Sequence, residues 1–180
     1  MNIFALDEDP QIAARMHCDK HVPKLCVEVT QMMVSAARRH GATDNDVPLT
    51  KAGTPHKGGY HHHPVTVWVG DSRENYMWSF WHGIALCQEF QYRFKKEHAC
   101  LRQLTVLGSL FRFVPEGKLT PFAQAMPDEY KNSCAITAYR DYYFYDKREN
   151  IQCEWKRGRD VPGWFSDKNL TPIGCIIGND

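Results

Sequence analysis

Residues 72–98 read SRENYMWSFWHGIALCQEFQYRFKKEH, and the way this stretch folds decides the architecture. Asp71-Ser72 supplies an N-cap, and no proline interrupts the residues after it, so the pattern predicts one long helix over about residues 72–98. Apolar and aromatic residues (Tyr76, Trp78, Phe80, Trp81, Ile84, Leu86, Cys87, Phe90, Phe94) cover most of its circumference. A helix apolar on most sides is buried on most sides, so this one is central. Asn75, His82, Glu89, Arg93 and Lys96 share an arc of about 60° on it. Such a polar stripe on a central helix is expected to face either water or a site.

Outward from this helix the chain reads as further helices. Asp9-Pro10 is a helix start, with the aspartate as N-cap and proline at the first helical position, and the pattern runs on toward Gly41. Over residues 17–36 the set Val22, Leu25, Cys26, Val29, Met32, Met33 and Ala36 covers about 120° and is the expected core face. His17, Lys20, His21, Lys24, Glu28 and Gln31 fall within about 100° on the opposite side, with Asp19 beyond the apolar arc. Pro23 removes a backbone hydrogen bond and disfavours α geometry at Val22, which predicts a kink or break there. Residues 41–64, rich in Gly and Pro and without periodicity, predict a long loop. VTVWV, residues 65–69, alternates weakly and reads as a short strand or an extended entry to the central helix. A shorter amphipathic helix is expected over 99–112, another from Thr120-Pro121 to before Pro127, and a third over 133–150. The tail, 166–180, is expected to fray.

At 180 residues, with neither repeat nor linker, the chain predicts one compact, mostly α domain over residues 1–180 around a central aromatic-rich helix. Lys+Arg of 22 against Asp+Glu of 21 leaves a net charge of +1, so a nucleic-acid partner would have to be met by a local patch. The opening MNIFALDED has neither a basic nor an apolar leader region, and nowhere do about 18 apolar residues run together. These features predict a cytoplasmic protein without a membrane partner. Seven cysteines, widely spaced and without a CxxC pair, predict reduced thiols, several of them buried.

The stretch RMHCDKHVPKLCVEV, residues 15–29, concentrates the chemistry. His17 and His21 stand at metal-ligand spacing, although Cys18 occupies the position where a zincin has glutamate. Three readings stay open: a divalent-metal site completed by His63 from HHHP (residues 61–64), an acid/base and phosphate-binding face, or the polar side of an ordinary helix. The candidate catalytic set is Glu28, His17, His21, Lys20, Lys24 and Asp19. A second group combines cations with flat rings, as sites that hold phosphates and stack bases require. It comprises Arg93, Lys96, Tyr139, Arg140, Tyr143, Lys147, Trp155 and Arg157, with His63 and Gln124 as further substrate-binding candidates. Each tyrosine taken singly reads more readily as packing at the core edge than as a base platform.

The words MNIFALDEDP, HCDKHV, HHHPVTVW, NYMWSF, CQEFQYRFKKEH, TPFAQAMPDEYK, AYRDYY and WKRG occur in an order that resembles a family of small phage-encoded proteins, over nearly the whole chain to Phe165. The opening and the HP segment are loosely similar to pyrimidine-dimer DNA glycosylases of the endonuclease V type. The resemblance implies a compact helical enzyme, acting in an infected host cell without a cofactor. It also implies that the N-terminal α-amine forms an imine with the sugar carbon of a nucleotide, assisted by a carboxylate, while arginines hold phosphates. That amine maps to Met1, retained because Asn2 is too large for methionine removal, and a free α-amine is partly neutral at pH 7. By periodicity Glu28 is the first candidate for the carboxylate and Asp19 the second, while Lys20 or Lys24 is an alternative imine former. Pro23, and His62 where the family pattern carries asparagine, depart from it. Three functions are therefore expected in this order: a DNA base-excising or base-modifying enzyme, a metal-dependent hydrolase or nuclease using His17, His21 and His63, and a non-catalytic nucleotide-binding protein. The discriminating geometry is the distance between the Met1 amine and the Glu28 carboxylate.

Overall fold

The structure, a computed structural model, describes residues 1–167. The fold is mostly α, with no strand among the described residues. In chain order the helices are α1 (Pro10–Met16), α2 (His21–Arg39), α3 (Pro64–Val69), α4 (Arg73–Phe94), α5 (Cys100–Leu107), α6 (Ala135–Tyr142), α7 (Arg148–Asn150) and α8 (Gly163–Ser166). A 3₁₀ segment, Gly108–Phe113, extends α5, and a π-helical turn, Tyr143–Lys147, joins α6 to α7. The tail expected to fray lies, from residue 168 on, outside the described residues. No described helix is long and apolar enough to cross a membrane.

The central helix α4 begins as the pattern predicts, with the Ser72 side chain accepting from the Asn75 N–H, and ends at Lys95 in the left-handed conformation. It packs against α1, α2 and α5. At Gly83 the approach is close enough that a Cβ would lie 2.9 Å from Leu104 Cδ2 and 3.0 Å from Val29 Cγ1. The polar stripe turns mostly inward, because Asn75, His82, Glu89 and Arg93 are all buried, and only Glu89 borders a cavity, a small one of about 180 Å³ shared with Arg15 and Arg159. Arg93 Nη1 donates to the His17 carbonyl at 2.7 Å and Nη2 to the Arg15 carbonyl at 2.9 Å. It thereby satisfies the carbonyls that the end of α1 leaves unpaired. His82 Nδ1 bonds the Pro10 carbonyl at 3.0 Å, and Trp78 Nε1 donates to that of Glu8 at 2.6 Å. His82 and Arg93 of the stripe thus serve the backbone of the N-terminal segment, and Lys96 lies past the helix end, exposed.

Three local expectations are corrected. The break in the first helical pattern falls at residues 17–20 and not at Pro23: His17 is extended, and α2 starts at His21 with Pro23 in its first turn. A proline there forfeits no intrahelical hydrogen bond, because first-turn N–H groups have no partner within the helix. VTVWV is helical as α3, with Pro64 at its first position and the His63 ring accepting from the Val65 N–H. Thr120-Pro121 starts no helix. Asn75 Nδ2 donates to Thr120 Oγ1 at 2.8 Å and Asn75 Oδ1 accepts the Thr120 N–H at 2.9 Å, so the threonine that would cap a helix is held by α4. Cys18, Cys26, Cys87, Cys100 and Cys153 are free thiols, whereas Cys134 is disulfide-bonded, contrary to the expectation of reduced cysteines throughout.

Candidate functional site

An asparagine two residues into a chain can fold the backbone around its own side chain. Asn2 does so. Its Oδ1 accepts the N–H groups of Ile3 (2.8 Å) and Phe4 (3.2 Å), and its Nδ2 donates to the Ala125 carbonyl at 2.7 Å. Phe4 completes the bend at φ 43°, a left-handed conformation that costs a bulky residue roughly 1–2 kcal/mol and persists only where the surroundings hold it. Here the Phe4 ring stacks on His21 at 4.8 Å and meets the edge of Tyr143 at 5.3 Å.

The bend delivers the chain terminus to α2. The Met1 α-amine lies 3.7 Å from Glu28 Oε1, and the Asn2 N–H donates to Glu28 Oε2 at 2.8 Å. Lys24, one turn earlier on α2 and largely exposed, sets its Nζ 3.7 Å from the same Oε1. Thr66 of α3 donates to Met1 Sδ at 3.8 Å and helps to fix the residue. His63, at the N-terminus of α3, faces this group as well: burial first, and then the positive α-amine, push its pKa down, while Glu28 pulls the other way. Because Nδ1 of His63 accepts the Val65 N–H, the proton of the neutral ring sits on Nε2. A buried amine, a buried carboxylate and a largely exposed ammonium thus form one group, within electrostatic reach of the His63 imidazole. Met1, Glu28, Lys24 and His63 are brought together as candidates; Asn2, which orients the amine, carried no signal in the sequence beyond its polar side chain beside the terminus.

The other catalytic candidates stand apart. His17 and His21 are buried and on separate helical segments, with the Tyr143 hydroxyl between their Nδ1 atoms, 3.0 Å from that of His17. Both lie in the core and not on the polar helix face where their spacing placed them. Nor do they converge with His63: among the described residues the one group of three with ligand atoms in mutual reach is Cys26, Cys87 and His98. Burial pushes His21 down to about 3 and holds His17 well below the usual histidine range, so both rings are neutral at pH 7.

The phosphate- and base-binding candidates divide in the same way. Arg93 spends its guanidinium on α1, Glu89 and Asp19, and Arg140 donates to the Leu6 carbonyl at 2.8 Å and to Asp7 at 3.2 Å. Both are buried, which corrects their assignment to a phosphate surface. Tyr139 and Trp155 are buried with their polar atoms bonded to backbone carbonyls of Ala123 and Met16, so neither offers a face to a base. Gln124 bonds the backbone of Asn132, and Lys147 pairs with Asp146 over the Tyr142 ring. Lys20 and Arg157, in contrast, line a cleft of about 540 Å³ with Asp19, Pro23, Phe94, Glu154 and Lys156. Arg157 lies 4.6 Å over the Phe94 ring, and Lys20 donates to the Ile151 carbonyl at 2.6 Å. This cleft opens at the N-terminal end of α2, two turns before Glu28, a rise of about 12 Å along the helix. No family model, no curated protein and no solved structure matches this chain.

Proposed function

We propose that the protein acts on DNA as a base-excising enzyme of glycosylase/lyase type, with the Met1 α-amine as nucleophile and Glu28 as its acid/base partner. The observation that carries this reading is the 3.7 Å separation of the amine from the Glu28 carboxylate. An amine needs its lone pair free to attack, and a carboxylate this near takes up the proton it sheds once the pair closes to hydrogen-bond distance. As the nitrogen bonds to the sugar C1′, the glycosidic bond breaks and the base departs with the electron pair, taking from Glu28 the proton that the amine has shed and so restoring the carboxylate. Ring opening then leaves the sugar as an imine of Met1, and loss of a C2′ proton to Glu28 expels the 3′ phosphate. Water finally hydrolyses the imine and restores the amine. Lys24 and Lys20, on one flank of α2, supply cations for the DNA backbone that Arg93 and Arg140 do not. The likeness to phage proteins would set this activity in the cytoplasm of an infected cell.

Borohydride trapping tests the reading. Incubated with DNA carrying abasic, damaged or hypermodified nucleotides, the protein should form a covalent adduct, mapped to Met1 by peptide mass. Glu28→Gln should slow its formation by roughly 10²–10⁴-fold, the range for loss of a positioned acid/base group. Absence of an adduct on every substrate overturns the imine mechanism, and an adduct on Lys24 moves the nucleophile.

A second reading, a nucleotide-binding protein that does not react, is favoured by the cleft. Lys20, Lys156 and Arg157 beside the Phe94 ring offer charge for a phosphate and a surface for a base. Recovery of an unchanged nucleotide from denatured protein would support it.

A further inference from the structure

Away from the N-terminus, three helical segments bring thiols to one point. Cys26 comes from the core face of α2, Cys87 from the middle of α4, His98 from the connection between α4 and α5, and Cys100 from the first position of α5. The Sγ atoms of Cys26 and Cys87 and a ring nitrogen of His98 all lie within 4.8 Å of one another. Cys100 stands beside them, its backbone N–H donating to His98 Nδ1 at 3.2 Å, with its thiol outside that mutual reach. The three cysteines are buried and the imidazole is partly buried, its ring held edge-on by Phe90 at 4.7 Å. Packing alone calls for no histidine among thiols at the edge of an apolar core, where alanine or valine fills the space without a polar atom to satisfy. Two sulfurs and one imidazole nitrogen in mutual reach, with a third thiol next to them, are instead the donor types of a structural zinc site.

We infer that Cys26, Cys87 and His98 hold a zinc-like divalent ion that ties α2 and α4 to the connection before α5, with the neighbouring Cys100 thiol moving in as the fourth, tetrahedral ligand. Binding replaces thiol protons by the ion, so each cysteine that ligates releases one proton and affinity rises with pH. In the structure His98 Nδ1 accepts the Cys100 N–H at 3.2 Å, and coordination at that nitrogen exchanges this long contact for a bond to the metal. The ion stiffens α2 from the side opposite Glu28 and takes no part in the chemistry proposed above, so this site stands or falls independently of it.

Cobalt(II) provides the test, because thiolate ligation gives it a charge-transfer band and tetrahedral geometry gives it intense visible absorption. The full chain, reduced and stripped with a chelator, should take up one equivalent of cobalt with both features and lose them when zinc is added. Cys18→Ser/Cys153→Ser, which removes the two other free thiols among the described residues, should leave the spectrum unchanged, whereas Cys87→Ser and His98→Gln should abolish or shift it. Zinc should also shield Cys26, Cys87 and Cys100 of the unaltered protein from alkylation, read by peptide mass, which does not depend on any variant folding. No charge-transfer band, or a band that survives Cys87→Ser and His98→Gln but not Cys18→Ser/Cys153→Ser, overturns the site, as does alkylation of the three cysteines unaffected by zinc.

Discussion

Asn2 and Glu28, 26 positions apart, are joined by a hydrogen bond of 2.8 Å from the Asn2 backbone N–H to Glu28 Oε2. Because the donor is backbone, the bond makes no direct use of the side chain at position 2. What the asparagine side chain adds is the bend that makes this approach possible. The orientation of the α-amine therefore depends on an amide group that need not touch substrate.

Asn2→Leu is the variant that isolates this role, since leucine is also too large to permit methionine removal. It deletes two bonds to the bend and one to Ala125, each worth about 0.5–1.5 kcal/mol net. Stability should fall by about 2–3 kcal/mol in urea unfolding, and trapping of the imine should slow in the surviving folded protein. Unaltered trapping would show that the amine finds Glu28 without the bend.

Acid should destabilise the fold through its buried histidines. Burial pushes His21 to about 3 and His82 to about 4, and holds His17 well down, whereas in the unfolded chain each titrates near 6.5. Below that value the unfolded state binds more protons than the folded one, so stability is complete above pH ~6.5 and falls as pH drops toward the folded pKa values. Each histidine contributes a slope of up to about 1.4 kcal/mol per pH unit. Urea midpoints at pH 7 and pH 5 check this, and equal midpoints would refute it; His82→Gln should flatten the dependence by one proton.

Tyr143→Phe should cost more than the loss of one hydroxyl suggests. The hydroxyl serves Nδ1 of both His17 and His21, and without it two buried ring nitrogens lose a partner, at about 1–3 kcal/mol each. A destabilisation of about 2–5 kcal/mol is expected, measured at pH 7 where both rings are neutral. A change under about 1 kcal/mol would mean that water replaces the hydroxyl.

Arg93 and Lys24 should separate cleanly in DNA-binding assays. Arg93→Lys abandons most of a buried network and should lower stability by about 3–5 kcal/mol, while the salt dependence of DNA binding by the folded fraction stays unchanged. Lys24→Ala should leave the melting transition nearly unmoved and reduce the slope of log affinity against log salt by about one. The opposite pattern would return Arg93 to the phosphate surface.

The central helix was legible because its signal is local: Ser72 caps it, no proline interrupts it, and aromatic residues surround it. Proline placements were not legible in the same way. Asp9-Pro10, His63-Pro64 and Thr120-Pro121 look alike as dipeptides, yet the first two start helices and the third does not, because Asn75, 45 residues away, occupies the capping groups of Thr120. Glu28 and Met1 were paired through a family likeness and helical periodicity, whereas nothing in the spacing indicated Asn2. Arg93 and Arg140 were misplaced because composition does not distinguish a cation that serves phosphates from one that serves carbonyls. The thiol group was invisible because Cys26, Cys87 and His98 belong to three separate segments and make no spaced motif.

The guanidinium of Arg93 has a consequence for how the molecule breathes. It joins the end of α1 to Asp19 and Glu89; Asp19 in turn holds the Lys156 N–H and donates its own to Glu154, and Glu89 holds Arg159 through two bonds. None of these stretches of chain can lift away without uncovering charges on the others. Amide protons around residues 15–19, 89–93 and 154–159 should accordingly exchange with solvent in one shared opening event, so that the segment around 154–159, irregular in backbone, is as slow to exchange as the helices it is tied to.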